Sequence, residues 1–146
     1  MGAITITAAD VRLVRGGDEH LTTLPVGEAF TAGKYIRLNP TTGYLELGKA
    51  TTQAEVGKGY LAIGAGVVGM PATGASRPCY VDLGSALSGL SFGDPVYLGD
   101  TDGLLQTTAG TIEVVVGVVV PGFADTTGKK LLEVTLGDYV AEPEGS

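Results

Sequence analysis

Apolar and polar residues follow a strand–turn–strand pattern that occurs twice along this chain. In residues 33–45, the apolar side chains Ile36 and Leu38 occupy alternate positions and are followed by a turn of proline, threonine and glycine. Residues 93–105 repeat the pattern, and the glycines that precede the first strand and end the turn lie 60 positions apart. Period-two alternation with these turn residues predicts a β-hairpin in each half, and the constant spacing indicates an internal repeat.

Further strands are predicted after each hairpin, where short hydrophobic runs are bounded by glycine and proline. A sheet of so few strands is not stable alone, so the two halves must share one core. The pattern therefore predicts an all-β fold, a compact β-sandwich or barrel built from two similar β-hairpin-containing halves, with an N-terminal extended arm. These further strands are expected near residues 60–63 and 80–84 in the first half, and near residues 114–120 and 132–137 in the second.

The repeat divides the chain into three parts. Residues 26–140 are predicted to be a single β domain, with the two repeats at about 26–84 and 92–137. Residues 1–25 have no counterpart in the second half and are predicted to be an N-terminal arm or an edge strand. Residues 141–146 are acidic and are expected to form a disordered tail.

The N-terminal arm carries the strongest candidates for an interface with another protein surface. Residues 4–7 alternate between isoleucine and threonine, and residues 10–15 form a second extended piece. An apolar segment without a duplicate must be covered either by the domain, as an edge strand, or by a surface elsewhere. The candidate interface residues in this arm are Ile4, Ile6, Val11, Arg12, Leu13 and Val14.

Three further candidates lie on the predicted hairpins. If Ile36 and Val96 face the core, the alternation of a strand places Tyr35, Arg37 and Tyr97 on the outer face. Tyrosine and arginine are enriched at the energetic centres of protein interfaces. Isolated exposed tyrosines are also common on ordinary surfaces, so an interface and a plain surface remain equal alternatives for these three residues.

Composition excludes several classes of function. The chain has 16 acidic and 9 basic residues and a net charge of -7, which argues against DNA or RNA as a direct ligand because phosphate binding needs clustered lysine and arginine. The longest apolar run, residues 114–120, is far shorter than the roughly 20 residues of a membrane helix, and residues 1–25 lack the regions of a signal peptide. We therefore expect a soluble protein without a membrane partner.

Two sequence motifs resemble ligand-binding loops. Residues 64–69 fit the dinucleotide pattern G-x-G-x-x-G, but Pro71 follows too soon for the helix whose N-terminal amides would hold a pyrophosphate. Residues 100–103 begin like a calcium loop, but Thr111 stands where the loop needs a bidentate glutamate. The favoured interpretations are a glycine-rich β connection and an aspartate-rich hairpin turn.

The chain contains one histidine, His20, and one cysteine, Cys79. These two residues are too few for a zinc site, and no Ser-His-Asp arrangement is supported. Cys79 lies in an apolar run, where a free cysteine usually behaves as a small buried side chain, and it cannot form an internal disulfide. The sequence thus predicts no catalytic residue, no metal and no cofactor, and the protein is not expected to be an enzyme.

The spacing of glycines and turns resembles that of the capsid decoration proteins of tailed bacteriophages, also called cement or auxiliary head proteins. The resemblance covers nearly the whole chain and is clearest in residues 7–12, 27–33, 59–66, 92–98 and 116–119. It implies a β-rich homotrimer at threefold and quasi-threefold sites on the outer surface of an icosahedral virion, made in the bacterial host cytoplasm. There it would bridge subunits of the major capsid protein, and no catalytic residue is carried over.

On this resemblance the interface candidates become contacts with the capsid or within the trimer. Deleting residues 2–15 is then expected to leave the β domain folded while weakening capsid binding or trimer stability. The alternative is a β-module on a phage fibre or head that binds a receptor or glycan, with Tyr35, Tyr60, Tyr80 and Tyr97 stacking on sugars. A trimeric nucleotide pyrophosphatase of the dUTPase type has a similar length, but its uracil-pocket hairpin motif and glycine-rich phosphate arm are missing.

Overall fold

The computed structural model describes residues 3–122 and 130–136. Within them the protein is almost entirely β-structure, arranged in two antiparallel sheets, which confirms the predicted all-β fold class. The strands in chain order are β1 (Arg12–Arg15), β2 (Leu21–Pro25), β3 (Tyr35–Leu38), β4 (Leu45–Leu47), β5 (Lys58–Ala62), β6 (Pro71–Ala75), β7 (Cys79–Asp82), β8 (Pro95–Leu98), β9 (Leu105–Gln106), β10 (Val115–Pro121) and β11 (Lys130–Val134).

In the described residues one α-helix, α1 (Gln53–Val56), interrupts the strands, and 3-10 helices occur at Ala8–Asp10 and Asp18–His20. Thr52 caps α1, because the threonine hydroxyl accepts a hydrogen bond from the Glu55 backbone N–H at 3.2 Å. Gly57 ends the helix with a φ of 53°, a conformation that favours glycine. The chain can therefore turn at once into β5.

The two sheets have the same internal strand order. The five-stranded sheet runs β2-β6-β5-β3-β4, and the six-stranded sheet runs β1-β7-β11-β10-β8-β9. The predicted hairpins are confirmed as the antiparallel pairs β3–β4 and β8–β9, which occupy equivalent edges. Gly33 and Gly93 precede the two hairpins with the same φ of 91°, so the repeat extends to the backbone conformation.

The structure places the boundary of the repeat differently from the sequence pattern. The pattern assigns residues 80–84 to the end of the first repeat, as the counterpart of residues 132–137. In the structure β7 pairs with β11 in the six-stranded sheet, just as β2 pairs with β6 in the five-stranded sheet. β7 is therefore the counterpart of β2. The two structural repeats are thus β2 to β6 and β7 to β11. The sequence pattern did not show this boundary, because hydrophobic alternation marks a strand but does not show which strand pairs with it.

A main core fills the space between the sheets. Tyr35 and Leu61 enter it from the five-stranded sheet, and Val96, Val116 and Leu132 enter it from the six-stranded sheet. These side chains alternate along their strands with residues of the opposite face, as pleating requires. The main core thus joins the two repeats into one body.

A second core cluster lies on the other face of the five-stranded sheet. It contains Val26, Phe30, Ile36, Leu45 and Tyr60. Val26 follows β2 directly and forms a parallel bridge with Leu45 of β4, the strand at the opposite edge. This sheet therefore curls until its edges meet, and it buries side chains on both of its faces.

Candidate interaction surface

Residues 3–20, which form most of the segment 1–25 predicted as an arm or edge strand, reach both edges of the six-stranded sheet. At its start Ala3 forms a bridge with Gln106 of β9, and the Ile4 N–H donates to the Leu105 carbonyl at 2.9 Å. Farther along, β1 pairs with β7 at the opposite edge. The segment thus provides an edge strand, β1, as one of the two predicted alternatives had it. The residues before β1 connect the two edges of the sheet.

The apolar residues of the arm pack on the chain's own main core. Ile4 is buried, at 7% exposure, and Ile6, Val11 and Leu13 are half-buried against the same cluster. The fit is close, since a Cβ atom on Gly33 would lie 2.7 Å from the Ile6 Cγ2 atom. The domain itself thus covers these four predicted interface residues.

The remaining two candidates of the arm, Arg12 and Val14, are exposed on β1. No other strand of the described residues pairs with the outer side of β1. An unpaired strand edge is a place where a strand of another chain can add. These two residues therefore stay available for a contact with a partner.

The prediction that Tyr35 faces outwards is wrong. The side chain is 1% exposed, and its hydroxyl donates a hydrogen bond to the Val56 carbonyl at 2.9 Å. Alternation does place Tyr35 and Ile36 on opposite faces, but this sheet buries both faces at that point. Arg37 and Tyr97 are half-buried rather than free on the surface.

Three large apolar side chains are exposed together in the loop between β5 and β6. Val67 and Val68 are each 61% exposed, and Met70 is 58% exposed. The loop is held in place because the Gly69 N–H donates to the Val26 carbonyl at 2.9 Å and the Val26 N–H donates to the Met70 carbonyl at 3.0 Å. We call residues 67–70 the apolar tip.

The sequence motifs did not identify the apolar tip as a candidate surface. Residues 64–69 attracted attention as a dinucleotide pattern, yet they lead into β6 rather than a helix, as expected for a glycine-rich β connection. The sequence signal that would have identified the tip is the absence of charge. Residues 59–76 contain no charged side chain, although the chain has a net charge of -7. Contiguous exposed apolar surface is typical of protein contacts.

A cleft of about 450 Å³ lies at the opposite end of β5 from the apolar tip. It is bounded by the end of β3, by α1 and by the first residue of β5. Its lining is largely apolar, with Leu38, Pro40 and Ala54 beside the methylene groups of Arg37 and Lys58.

One of the charged residues that line the cleft, Arg37, forms an ion pair with the neighbouring Glu46. Arg37 Nη2 donates to Glu46 Oε1 at 3.1 Å, and the Asn39 side-chain amide donates to Glu46 Oε2 at 3.0 Å. Lys58 Nζ lies 5.0 Å from the centroid of the Tyr60 ring, and Glu55 lines the same cleft. The cleft therefore combines an apolar lining with a nearly balanced charge.

The second hairpin has no such ion pair. The Arg37–Glu46 pair of the β3–β4 ladder corresponds to Tyr97 and Gln106 in the β8–β9 ladder. The two repeats share a backbone plan, but only the first carries charged groups at this point. The ion pair beside the cleft thus belongs to one repeat and not to the shared scaffold.

Asp100 and Cys79 both have structural roles. The Asp100 carboxylate accepts hydrogen bonds from the Thr111 N–H at 2.8 Å and the Thr111 hydroxyl at 2.7 Å, which lower its pKa. Burial raises the pKa of the Cys79 thiol, which donates to the His20 carbonyl at 3.6 Å. In the described ranges no three His, Cys, Asp or Glu side chains come together as a metal site.

Comparison with known proteins adds no assignment. No family model matches the chain, and no curated protein shows significant sequence similarity to it. Among the helices of the described residues, none has the length and apolar character needed to cross a membrane.

Proposed function

We propose that this chain is a structural protein that decorates and stabilises the icosahedral capsid of a tailed bacteriophage. It acts as a homotrimer on the outer surface, at threefold and quasi-threefold sites, and bridges neighbouring subunits of the major capsid protein. The sequence resemblance described above supports this proposal. The observation that carries it is the apolar tip, a group of exposed apolar side chains on a loop that backbone hydrogen bonds tie to Val26 of the all-β body.

The energetics of the apolar tip favour a protein partner. Fully burying a side chain such as Val67, Val68 or Met70 contributes about 1.5–3 kcal/mol. Three such groups within one loop make a compact contact even where the total interface is small. Repetition of that contact by symmetry then strengthens binding without high affinity at each site.

The outer side of β1, where no other strand of the described residues pairs, offers a second contact, directed at the capsid. Arg12 and Val14 are exposed there, and the strand is held by the arm's own packing on the main core. A capsid subunit that extended this edge would gain backbone hydrogen bonds as well as side-chain contacts. The work of the protein in this proposal is mechanical: each trimer ties neighbouring subunits together against internal pressure.

The alternative function, a receptor-binding or glycan-binding module, rests on exposed tyrosines. Tyr35 and Tyr60 are buried, and Tyr80 and Tyr97 are half-buried. Two of the four rings are therefore unavailable for stacking on a sugar. Tyr44 is the exposed tyrosine of the described residues, and it is a narrow basis for a carbohydrate site.

The test combines the oligomeric state with capsid binding. Sedimentation velocity gives the mass of the purified chain, and co-sedimentation measures binding to expanded capsids of a phage that encodes it. We expect a trimer that co-sediments with expanded capsids at a saturable ratio. Binding to a glycan array, with no co-sedimentation at any concentration tested, would show that the alternative is correct.

A further inference from the structure

We propose that the outer side of β1 binds an acidic, extended segment of a partner protein, which adds a further strand to the six-stranded sheet. The inference deepens the β1 contact of the proposed function and rests on it for the partner, a subunit of the major capsid protein. The juxtaposition that carries it is an unpaired strand edge and a group of exposed arginines in an acidic chain.

Exposed positive charge is concentrated at this edge. Arg12, Arg15 and Arg77 are exposed, whereas the other lysines and arginines of the described residues are half-buried. Arg12 and Arg15 are the first and last residues of β1. Arg77 precedes β7, the strand that pairs with β1, by two residues. The three side chains therefore lie on one strand edge and beside the strand next to it.

Acidic residues do not interrupt this charge along the strand, because residues 11–17 contain none. Asp10, before the strand, lies against Gly84, where an added Cβ atom would be 2.8 Å from its carboxylate. Glu19, after the strand, lies 3.4 Å from the Nε2 atom of His20. The edge is thus positive in a chain of net charge -7. Arginine binds carboxylates through parallel hydrogen bonds from its planar guanidinium group, so the complementary ligand is acidic.

The backbone of β1 favours an extended peptide over other polyanions. Within the described ranges no strand pairs with β1 on the side away from β7. Such an edge presents N–H and C=O groups that another strand can pair with, whereas a nucleic acid has no matching backbone. Val14, between the arginines, is 44% exposed and adds an apolar contact. A register shift between Leu13 and Arg15 bends the strand, so the edge suits a segment of a few residues.

The arginines also disfavour a second copy of this chain as the partner. Antiparallel pairing of two β1 edges would bring the arginines of both copies together, and like charges opposite each other destabilise a ladder. Charged side chains on edge strands prevent association of identical edges in this way. A partner strand that carries carboxylates at these positions replaces the repulsion with ion pairs, so charge selects the partner.

A peptide titration followed by NMR tests the contact directly. The probe is a capped peptide of three Val-Glu repeats, added to the full chain labelled with nitrogen-15. We expect saturable shifts in the backbone amide signals of residues 12–15, weakened by added salt. A peptide of three Val-Lys repeats should cause no such shifts. A peptide of three Pro-Glu repeats keeps the carboxylates but cannot pair as a strand, and should bind about tenfold more weakly.

A matched pair of variants separates the edge from the overall charge. Arg12→Glu should weaken binding of the Val-Glu peptide about tenfold, because it removes one ion pair and introduces a repulsion. Lys49→Glu makes the same change of charge away from β1 and should leave the affinity unchanged. Circular dichroism spectra equal to that of wild type show that both variants are folded.

Other occupants of the edge are identified by competition. A peptide with the sequence of residues 137–146, which contains three acidic residues, would displace the probe at lower concentration than the Val-Glu peptide itself if this chain supplied the segment. Displacement by an oligothymidylate would indicate a nucleic acid. Either result overturns the inference, as does equal binding of the Val-Glu and Pro-Glu peptides.

The outcomes also separate this inference from the proposed function, because the peptide titration needs no capsid. A chain that co-sediments with expanded capsids, but binds no Val-Glu peptide and keeps its capsid affinity in Arg12→Glu, overturns the inference and leaves the capsid role standing. A chain that binds the peptide at residues 12–15 but never co-sediments with capsids refutes the proposed function and leaves the acidic-strand site standing.

Discussion

Deleting the arm tests whether it belongs to the core or serves only as a contact. The resemblance to capsid decoration proteins implies that a chain without residues 2–15 still folds. The structure leads to the opposite expectation, because Ile4 is buried in the main core and Ile6, Val11 and Leu13 pack against it. The deletion also removes β1, the partner of β7.

The magnitude follows from the burial of these four side chains. Complete burial of one such group contributes about 1.5–3 kcal/mol, so Ile4 in full and the other three at about half give roughly 4–8 kcal/mol. The whole free energy of unfolding of a typical domain is about 5–15 kcal/mol. We therefore expect the deleted chain to lose most of its stability or to be unfolded.

Two point variants within the arm give a graded version of this test. Ile4→Ala removes a buried side chain and should lower the free energy of unfolding by about 2–5 kcal/mol. Val14→Ala is the matched control, since Val14 is 44% exposed and surface substitutions usually change stability by less than about 0.5 kcal/mol.

Urea unfolding, followed by circular dichroism and tyrosine fluorescence, measures all three changes. The chain contains no tryptophan, so its tyrosines report the transition. Protein concentration must be held constant, because self-association adds to apparent stability. An unfolding midpoint of the deleted chain equal to that of the full chain would refute the assignment of the arm to the core.

Three further expectations follow from single residues. Gly33→Ala and Gly93→Ala impose the same backbone strain, because both glycines have a φ of 91°. Only Gly33 lies against the arm, so Gly33→Ala should lower the urea midpoint more than Gly93→Ala. Hydrogen bonds from the Thr111 backbone N–H and hydroxyl hold the pKa of the Asp100 carboxyl below its ordinary value of 3.8, so its contribution to stability is present above that pH and is lost as the pH falls through the folded pKa. Asp100→Asn, which removes the charged acceptor of Thr111, should reduce the acid dependence of the unfolding midpoint below about pH 5, where an aspartate begins to protonate, and an unchanged dependence would argue against it. Cys79 should react with a thiol reagent at pH 8 much more slowly in the native chain than in urea, because it is buried and its pKa is raised, and equal rates would contradict its burial.

Local patterns were sufficient for the elements that depend on neighbours in sequence. The hairpins β3–β4 and β8–β9 form where alternation and turn glycines predict them, since a hairpin is specified by its own strands and turn. The same alternation correctly places the side chains of Ile36 and Tyr35 on opposite faces of the sheet. It does not reveal that a second layer covers the Tyr35 face, because that layer comes from distant parts of the chain.

The candidate surface was less predictable for the same reason. The apolar character of Val68 and Met70 is visible in the sequence, but apolar residues are buried or exposed according to what packs on them. Only the uncharged run of residues 59–76 hinted at a special surface. The cleft brings β3 and α1 together with the start of β5, and no local pattern predicts that proximity.

The sequence by itself determined the all-β class, the duplicated hairpins and a glycine-rich connection at residues 64–69, because each depends on backbone conformations and periodicities of a few residues. The tertiary structure decided that β7 begins the second repeat, that the arm packs on the main core, and that the apolar tip is exposed. These outcomes depend on which strands pair and which faces meet across long sequence separations. Pairing over such distances is selected by the total burial and hydrogen bonding of the fold, and no single segment encodes it.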